Sequence, residues 1–175
     1  RQHPCNCKLW RRMQDAAVHT IRTGRTTVPR VGVTLRKEVA WGFPFPFLTM
    51  QLPSGRKLFY ADPGTTPDDR ITYKEWDTGS WREAETSGGK LTENLTQAVG
   101  RDCLAFALDN LRRAGYQVVF HVHDEVVIEL PNTQDAEAAL EDVIRIMSRV
   151  PPWAEGLPLS AAGWHGDFFT KDRGR

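Results

Sequence analysis

Two short runs of β-branched and apolar residues flank His123, Asp124 and Glu125, and this stretch constrains the fold more than any other. A glycine precedes the first run and a proline follows the second, so the unit is confined to residues 117–130. Such runs, bounded by turn-forming residues, are typical of two strands joined tightly. The sequence therefore predicts a β-hairpin with carboxylates at its tip.

The acidic pair at this tip, Asp124 and Glu125, has three interpretations. Carboxylates on a rigid support can hold a divalent metal against a substrate phosphate. A solvated turn that is acidic by chance would show the same residues. A third interpretation is a mononuclear metal hydrolase site made by His121, His123 and Asp124, since strand alternation would put both histidines on one face. No further ligand follows at a suitable spacing.

The remaining periodicities predict an α+β chain. At 175 residues, 40% of them hydrophobic, it can bury one sizeable core and form one domain or most of one. The order of elements predicts an antiparallel sheet with helices packed on one face. The predicted elements are a helix over 6–23, extended pieces over 26–60 with a turn at 53–56, a strand pair near 71–76 and 80–85, a helix over 91–114, the central hairpin, a helix capped by Asn132 or Thr133 and a strand over 157–163.

Polar residues form a stripe along the long helix. Glu93, Gln97 and Arg101 follow an i, i+4, i+8 rule, with Asn94 and Asp102 alongside. The stripe is either the wet side of the helix or a set of hydrogen-bonding groups for a ligand. A Phe-Pro repeat at 43–47 also has two interpretations, a packed irregular connection or a stacking platform for bases.

Composition narrows the function classes. With 23 basic and 22 acidic residues there is no general basic field, so any nucleic-acid contact must come from local patches. Cys5, Cys7 and Cys103 lack zinc-ligand spacing and are expected to be reduced thiols. No apolar run could span a membrane and no leader is present, so an intracellular protein is expected. The chain begins without Met, which suggests a fragment or processed piece.

Four segments in a fixed order carry a resemblance to a known family. The chain resembles the C-terminal part of the family A DNA polymerases, the DNA polymerase I family, and in particular the phage-type members. The resemblance covers nearly the whole chain. Its segments are residues 52–56 (Leu-Pro-Ser-Gly-Arg), 88–102, 122–126 (Val-His-Asp-Glu-Val) and 158–166.

The resemblance implies a partial polymerase domain. Residues 1–25 would be the end of the fingers or a connecting helix, and 26–175 the C-terminal part of a palm-type sheet, with a surface insertion near 62–87. The implied enzyme is a DNA-directed DNA polymerase, a nucleotidyltransferase of DNA replication. Its partners would be primer–template DNA and deoxynucleoside triphosphates, with no membrane, in the cytoplasm of a cell or of a phage host.

The resemblance assigns a metal role to the hairpin tip. Asp124 matches the carboxylate that helps to hold two Mg²⁺ ions, and Glu125 matches its auxiliary neighbour. The second aspartate that bridges both ions and the fingers helix that binds the triphosphate do not occur in this sequence. We therefore expect the isolated chain to be inactive and to need an N-terminal polymerase portion or split subunit that supplies the other carboxylate.

Four further residues match or neighbour DNA-contacting positions. His123 and Gln97 match residues that hydrogen-bond near the primer terminus, the Gln on the minor-groove side. Minor-groove acceptors lie in similar places on all correct pairs, which suits an enzyme that copies any sequence. Arg101 and Asn94 are candidates for contacts to the DNA backbone or primer. The alternative is a non-catalytic primer–template binding module that uses Gln97, Arg101 and His123 without metal chemistry.

Overall fold

The computed structural model describes residues 4–30, 32–40, 42–132 and 135–170. The chain divides into two compact units, the first ending at Val99 and the second beginning at Gly100. The helices are α1 (Pro4–Thr23), α2 (Gly88–Arg113), α3 (Ala136–Met147) and a 3₁₀ turn (Pro152–Ala154). The strands are β1 (Thr27–Arg30), β2 (Val33–Val39), β3 (Pro46–Gln51), β4 (Lys57–Thr65), β5 (Ile71–Asp77), β6 (Ser80–Thr86), β7 (Gln117–Val122) and β8 (Glu125–Glu129).

Unit 1 is built on a six-stranded antiparallel sheet in which β1 to β6 are neighbours in chain order. Each strand reverses into the next, as in the predicted turn between β3 and β4, where Gly55 has a φ of 88°. The strand pair predicted near 71–76 and 80–85 is present as β5 and β6, and β5 pairs with β4. Residues 71–86 therefore continue the sheet, and Ile71 is fully buried. Whether 62–87 is an insertion, and where the domain boundaries fall, stay predictions.

One face of this sheet packs against helices. The apolar stripe of α1, including Met13, Ala17 and Ile21, meets alternate residues of β2 to β5 and the first turns of α2 in a single buried cluster. Leu35, Leu48 and Met50 have no exposed surface within it. Burying such a side chain contributes about 1.5–3 kcal/mol, so this cluster is the main stabilising element of unit 1. The prediction of an α+β fold with an antiparallel sheet and helices on one face is confirmed for this unit.

Helices α1 and α2 meet at backbone distance at Gly88. A Cβ placed on Gly88 would lie 2.0 Å from the carbonyl oxygen of Trp10 and 2.8 Å from the amide nitrogen of Gln14. The side chain of Gln14 accepts a hydrogen bond from the Gly88 amide at 2.6 Å. Only a residue without a side chain fits there, which accounts for this glycine in sequence.

The other face of the sheet carries an aromatic cluster, here Phe43, Phe45, Phe47, Phe59, Trp76 and Trp81. The three phenylalanines of the Phe-Pro repeat contact one another, with ring centroids 5.1–5.8 Å apart. Phe47 reaches Phe59 and Phe45 reaches Trp81, in edge-to-face geometry. The repeat is therefore a packed connection within unit 1, and a role in stacking bases stays untested.

Unit 2 contains the rest of α2, the β7–β8 hairpin and α3. Asp135 caps α3, because its side chain accepts hydrogen bonds from the amides of Glu137 and Ala138. The prediction of Asn132 as the cap was wrong, and Thr133 lies outside the described residues. Asn132, Thr133 and Asp135 all belong to residue types that favour the cap position, so the sequence alone did not single out Asp135.

The strand predicted over 157–163 is not formed, since these residues have no regular secondary structure. Pro158 lacks an amide donor, and the amide of Ala161 donates to the side chain of Ser148 rather than to a strand. The residues that suggested a strand instead lie alongside helix α3, where Gly163 contacts Leu140. In the part of the chain that the structure describes, no helix is long and apolar enough to cross a membrane.

Candidate functional site

The central hairpin forms as predicted, with β7 and β8 paired antiparallel and only His123 and Asp124 in the turn. Val122 pairs with Glu125 at the end of the ladder. A register shift between Val118 and Phe120 introduces a bulge, which increases the twist of the strand. The hairpin is a separate two-stranded sheet within unit 2.

The backbone of His123 is in the left-handed region, with a φ of 52°. Asp124 does not share this feature, so only the first of the two central turn residues has positive φ. Positive φ is a conformation that glycine adopts more readily than other residues, and a residue with a side chain adopts it only with strain. In this conformation, the backbone strain of a residue with a side chain is about 1–2 kcal/mol. Strain of this kind is often found at functional sites.

We expect His123→Gly to stabilise unit 2 by about 0.5–1 kcal/mol, because glycine adopts the positive φ without strain. The measurement is urea unfolding monitored by circular dichroism. His123→Ala is the matched control, since it removes the imidazole but retains the backbone strain, and its stability should stay within about 0.5 kcal/mol of wild type. A His123→Gly variant that is less stable than His123→Ala would contradict this account of the turn.

Asp124 and Glu125 are both exposed at this tip. Within residues 4–30, 32–40, 42–132 and 135–170, neither side chain forms an ion pair or a side-chain hydrogen bond with the protein. Two adjacent carboxylates repel each other, and no basic side chain in the described part of the chain pairs with either of them. The tip can therefore offer oxygen ligands to a divalent cation such as Mg²⁺.

Arg101 lies against the same hairpin. Its Nη1 and Nη2 atoms are each 3.5 Å from one ring nitrogen of His121. Both distances are at the long limit of hydrogen bonding, so the contact between the guanidinium and the imidazole is a weak one. Both side chains are exposed, so this face of the hairpin presents a cationic surface three residues from Asp124.

The two other predicted DNA-contacting residues belong to unit 1. Asn94 donates a hydrogen bond from Nδ2 to the hydroxyl of Tyr60 at 3.0 Å. Burial raises the pKa of Tyr60, and the hydrogen bond from Asn94 partly offsets this rise. Gln97 is exposed one turn further along α2, on the same side as Glu93. Asn94 therefore has a structural role, whatever else it contacts.

Arg56 is a residue whose role the sequence did not indicate. Its Nη2 atom donates to the backbone carbonyl of Ala98 at 2.9 Å, beside Gln97. Residues 53–56 were predicted to form a turn, and 52–56 to belong to a segment that carries the family resemblance, but neither prediction gave Arg56 a contact with α2. The available signal was the place of Arg56 in the 52–56 segment that carries the family resemblance.

Other arrangements in the described residues do not form a competing site. No group of three His, Cys, Asp or Glu side chains there could hold a metal ion, so the mononuclear hydrolase interpretation gains no support. His123 lies in the turn and does not follow the strand alternation that would place it with His121. Burial, with the nearby Asp102 charge, raises the pKa of the Cys103 thiol, which disfavours it as a nucleophile.

Comparison with known proteins shows similarity to a phage DNA polymerase. The chain is 39% identical over 171 residues to a DNA polymerase of Bacillus phage SP02. The aligned region covers 94% of this chain and 25% of the relative, so the chain spans about a quarter of the length of the protein it matches. No family model matches the chain. No solved structure matches it either.

Proposed function

We propose that this chain is the C-terminal palm portion of a family A DNA-directed DNA polymerase. The observation that carries the proposal is a pair of exposed carboxylates at the hairpin tip, one in the turn and one at the start of β8. Neither has a cationic partner among the described residues, and the chain aligns over 94% of its length with a phage DNA polymerase. Its substrates would be primer–template DNA and deoxynucleoside triphosphates, as part of phage DNA replication inside a host cell.

Asp124 is the proposed Mg²⁺ ligand, with Glu125 as an auxiliary carboxylate. The donor set fits, because Mg²⁺ binds few protein carboxylates and completes its shell with water and substrate phosphates. When bound, Mg²⁺ would lower the pKa of the primer 3′-hydroxyl and neutralise charge on the leaving pyrophosphate. The chain would contribute one metal-binding carboxylate, and the rest of the polymerase would contribute the other.

The proposed DNA contacts would be made by side chains of this chain whose hydrogen-bonding groups are exposed or only partly used within the protein. The amide of Gln97 is exposed and can hydrogen-bond to minor-groove acceptors, which every correct base pair presents. Arg101, which contacts His121 only at 3.5 Å, offers a guanidinium suited to a phosphate oxygen. His123 is adjacent to Asp124 and is proposed to contact the primer terminus. Asn94 retains its amide oxygen for a similar contact, since only its Nδ2 group is used by Tyr60.

Reconstitution tests this proposal. We define the chimera as the Bacillus phage SP02 polymerase in which this chain replaces the matched quarter. The isolated chain with Mg²⁺, primer–template and nucleotides should not extend the primer, because it lacks the second carboxylate. The chimera should extend it. Gel analysis of a labelled primer measures both.

Two results would overturn parts of the proposal. Primer extension by the isolated chain would contradict its incompleteness. A folded chimera that binds duplex DNA in the presence of chelator, with strong salt dependence, yet never extends a primer would favour the non-catalytic DNA-binding module. Circular dichroism of the chimera establishes that it is folded before either result is interpreted.

A further inference from the structure

Residues 157–170, here called the tail, lie after the last helix and lack regular structure, yet they follow a defined path. The amide of Ala161 donates to Ser148 Oγ at 3.1 Å, at the C-terminal end of α3. Two residues on, Gly163 passes so close to Leu140 that an added Cβ would lie 2.8 Å from its Cδ1 atom. The tail therefore runs back along α3.

Two further contacts show that the tail continues from α3 to the β7–β8 hairpin. His165 Nε2 lies 2.9 Å from the Glu137 carboxylate, near the N-terminal end of α3. Phe169 then packs on Phe120 of β7, with ring centroids 5.3 Å apart and an interplanar angle of 87°. The exposed His165–Glu137 pair contributes little energy. An edge-to-face aromatic pair contributes about 0.5–1.5 kcal/mol beyond its buried area, so Phe169 is the stronger attachment.

Phe120 is placed where such an attachment affects the turn. It lies immediately after the bulge and pairs with Val127, and the next pairs along the ladder lead to Val122 and Glu125 at the tip. By strand alternation Phe120, Val122, Glu125 and Val127 share one face of the hairpin. A two-stranded hairpin is marginally stable by itself, and a packing partner on one face fixes its position.

We propose that Phe169 is a positioning residue: its ring packs on Phe120 and holds the hairpin so that His123 and Asp124 keep one orientation. The inference rests on the proposed function of Asp124. Phe168 provides an internal contrast, because it is 74% exposed and makes no ring contact in the described part of the chain, whereas Phe169 is 40% exposed. Comparing variants of Phe168 and Phe169 therefore distinguishes the specific contact with Phe120 from a general effect of an aromatic side chain in the tail.

The test uses the chimera with Phe169→Ala, Phe168→Ala and Phe169→Tyr. Phe169→Ala should increase hydrogen exchange at the Val122 and Glu125 amides by about 5-fold, the loss of one aromatic pair. It should also lower the single-turnover incorporation rate by about 10-fold, because small misplacements of reacting groups are costly. Affinity for primer–template should change less than 2-fold. Phe168→Ala should match wild type, and Phe169→Tyr, which retains the ring, should restore both readouts.

Each remaining outcome contradicts the inference in a distinct way. Unchanged exchange in Phe169→Ala overturns the packing role, and equal effects from Phe168→Ala overturn its specificity. Faster exchange with an unchanged rate overturns positioning when Asp124→Asn is inactive. When Asp124→Asn is also fully active, the failure lies instead in the proposed function of the hairpin tip.

Discussion

Replacing Asp124 by Asn in the chimera is expected to lower the rate of nucleotide incorporation by at least about 10³-fold. This corresponds to about 4 kcal/mol of transition-state stabilisation, a loss consistent with removing a charged ligand from metal-assisted phosphoryl chemistry. Asparagine keeps the shape of the side chain but not its charge. Because Asp124 is exposed and unpaired among the described residues, stability should change by less than about 0.5 kcal/mol. Rapid-quench single-turnover kinetics measures the rate.

Glu129→Gln is the matched control for this substitution. Glu129 is also an exposed carboxylate of the hairpin, but it pairs with Gln117 at the end remote from the turn. Removing its charge should leave the rate within about 2-fold of wild type, because the charge is screened from the tip by solvent. Similar losses in both variants would indicate a general electrostatic effect rather than a ligand role. An active Asp124→Asn variant would contradict the metal assignment.

Gly88→Ala is expected to destabilise unit 1 by at least about 3 kcal/mol. The new methyl group would overlap the backbone of α1, which cannot move aside as a flexible side chain could. Overpacking usually costs about 1–3 kcal/mol, and a collision with backbone atoms belongs at the upper end. The displacement would also lengthen the hydrogen bond between Gly88 and Gln14. Urea unfolding of the isolated chain, with the slope constrained to that of wild type, measures the effect.

Gly100→Ala provides the opposite result within the same helix. A Cβ there would meet nothing within 4 Å, and the residue is exposed. Alanine should therefore stabilise α2 by about 0.5–1 kcal/mol through its helix propensity. A Gly88→Ala variant as stable as wild type would show that α1 and α2 do not approach at backbone distance. If Gly100→Ala were destabilising, the space around Gly100 would not be open as the structure shows.

The sequence predicted those elements whose signals are local. Runs of β-branched and apolar residues around a polar gap predicted the β7–β8 hairpin. The periodicity over 6–23 predicted α1, in which Met13, Ala17 and Ile21 are buried. The helices predicted over 6–23 and 91–114 end at Thr23 and Arg113, next to or near Gly24 and Gly115, whose φ angles are 68° and 88°. Each of these features depends on a few neighbouring residues, so pattern and backbone preference were sufficient.

Features that depend on distant contacts were not predicted. The apolar residues of 157–163 suggested a strand, but a strand needs a partner, and this segment packs instead along α3. The role of Gly88 appears only when Trp10 and Gln14 are in place, and Arg56 gains its role from a carbonyl 42 residues away. At the candidate site, residue types were predictable, whereas the positive φ of His123 and the Phe169 contact were not.

The most direct test of the central claim, that Asp124 is half of a metal site, is Mn²⁺ binding to the chimera with primer–template DNA, measured by electron paramagnetic resonance. Mn²⁺ prefers the same oxygen ligands as Mg²⁺ and is observable. We predict that Asp124→Asn raises the Kd of the tightest ion by more than the 10–100-fold seen when outer-shell partners are lost, while Glu129→Gln leaves it unchanged. Equal Mn²⁺ affinity for wild type and Asp124→Asn would contradict the account.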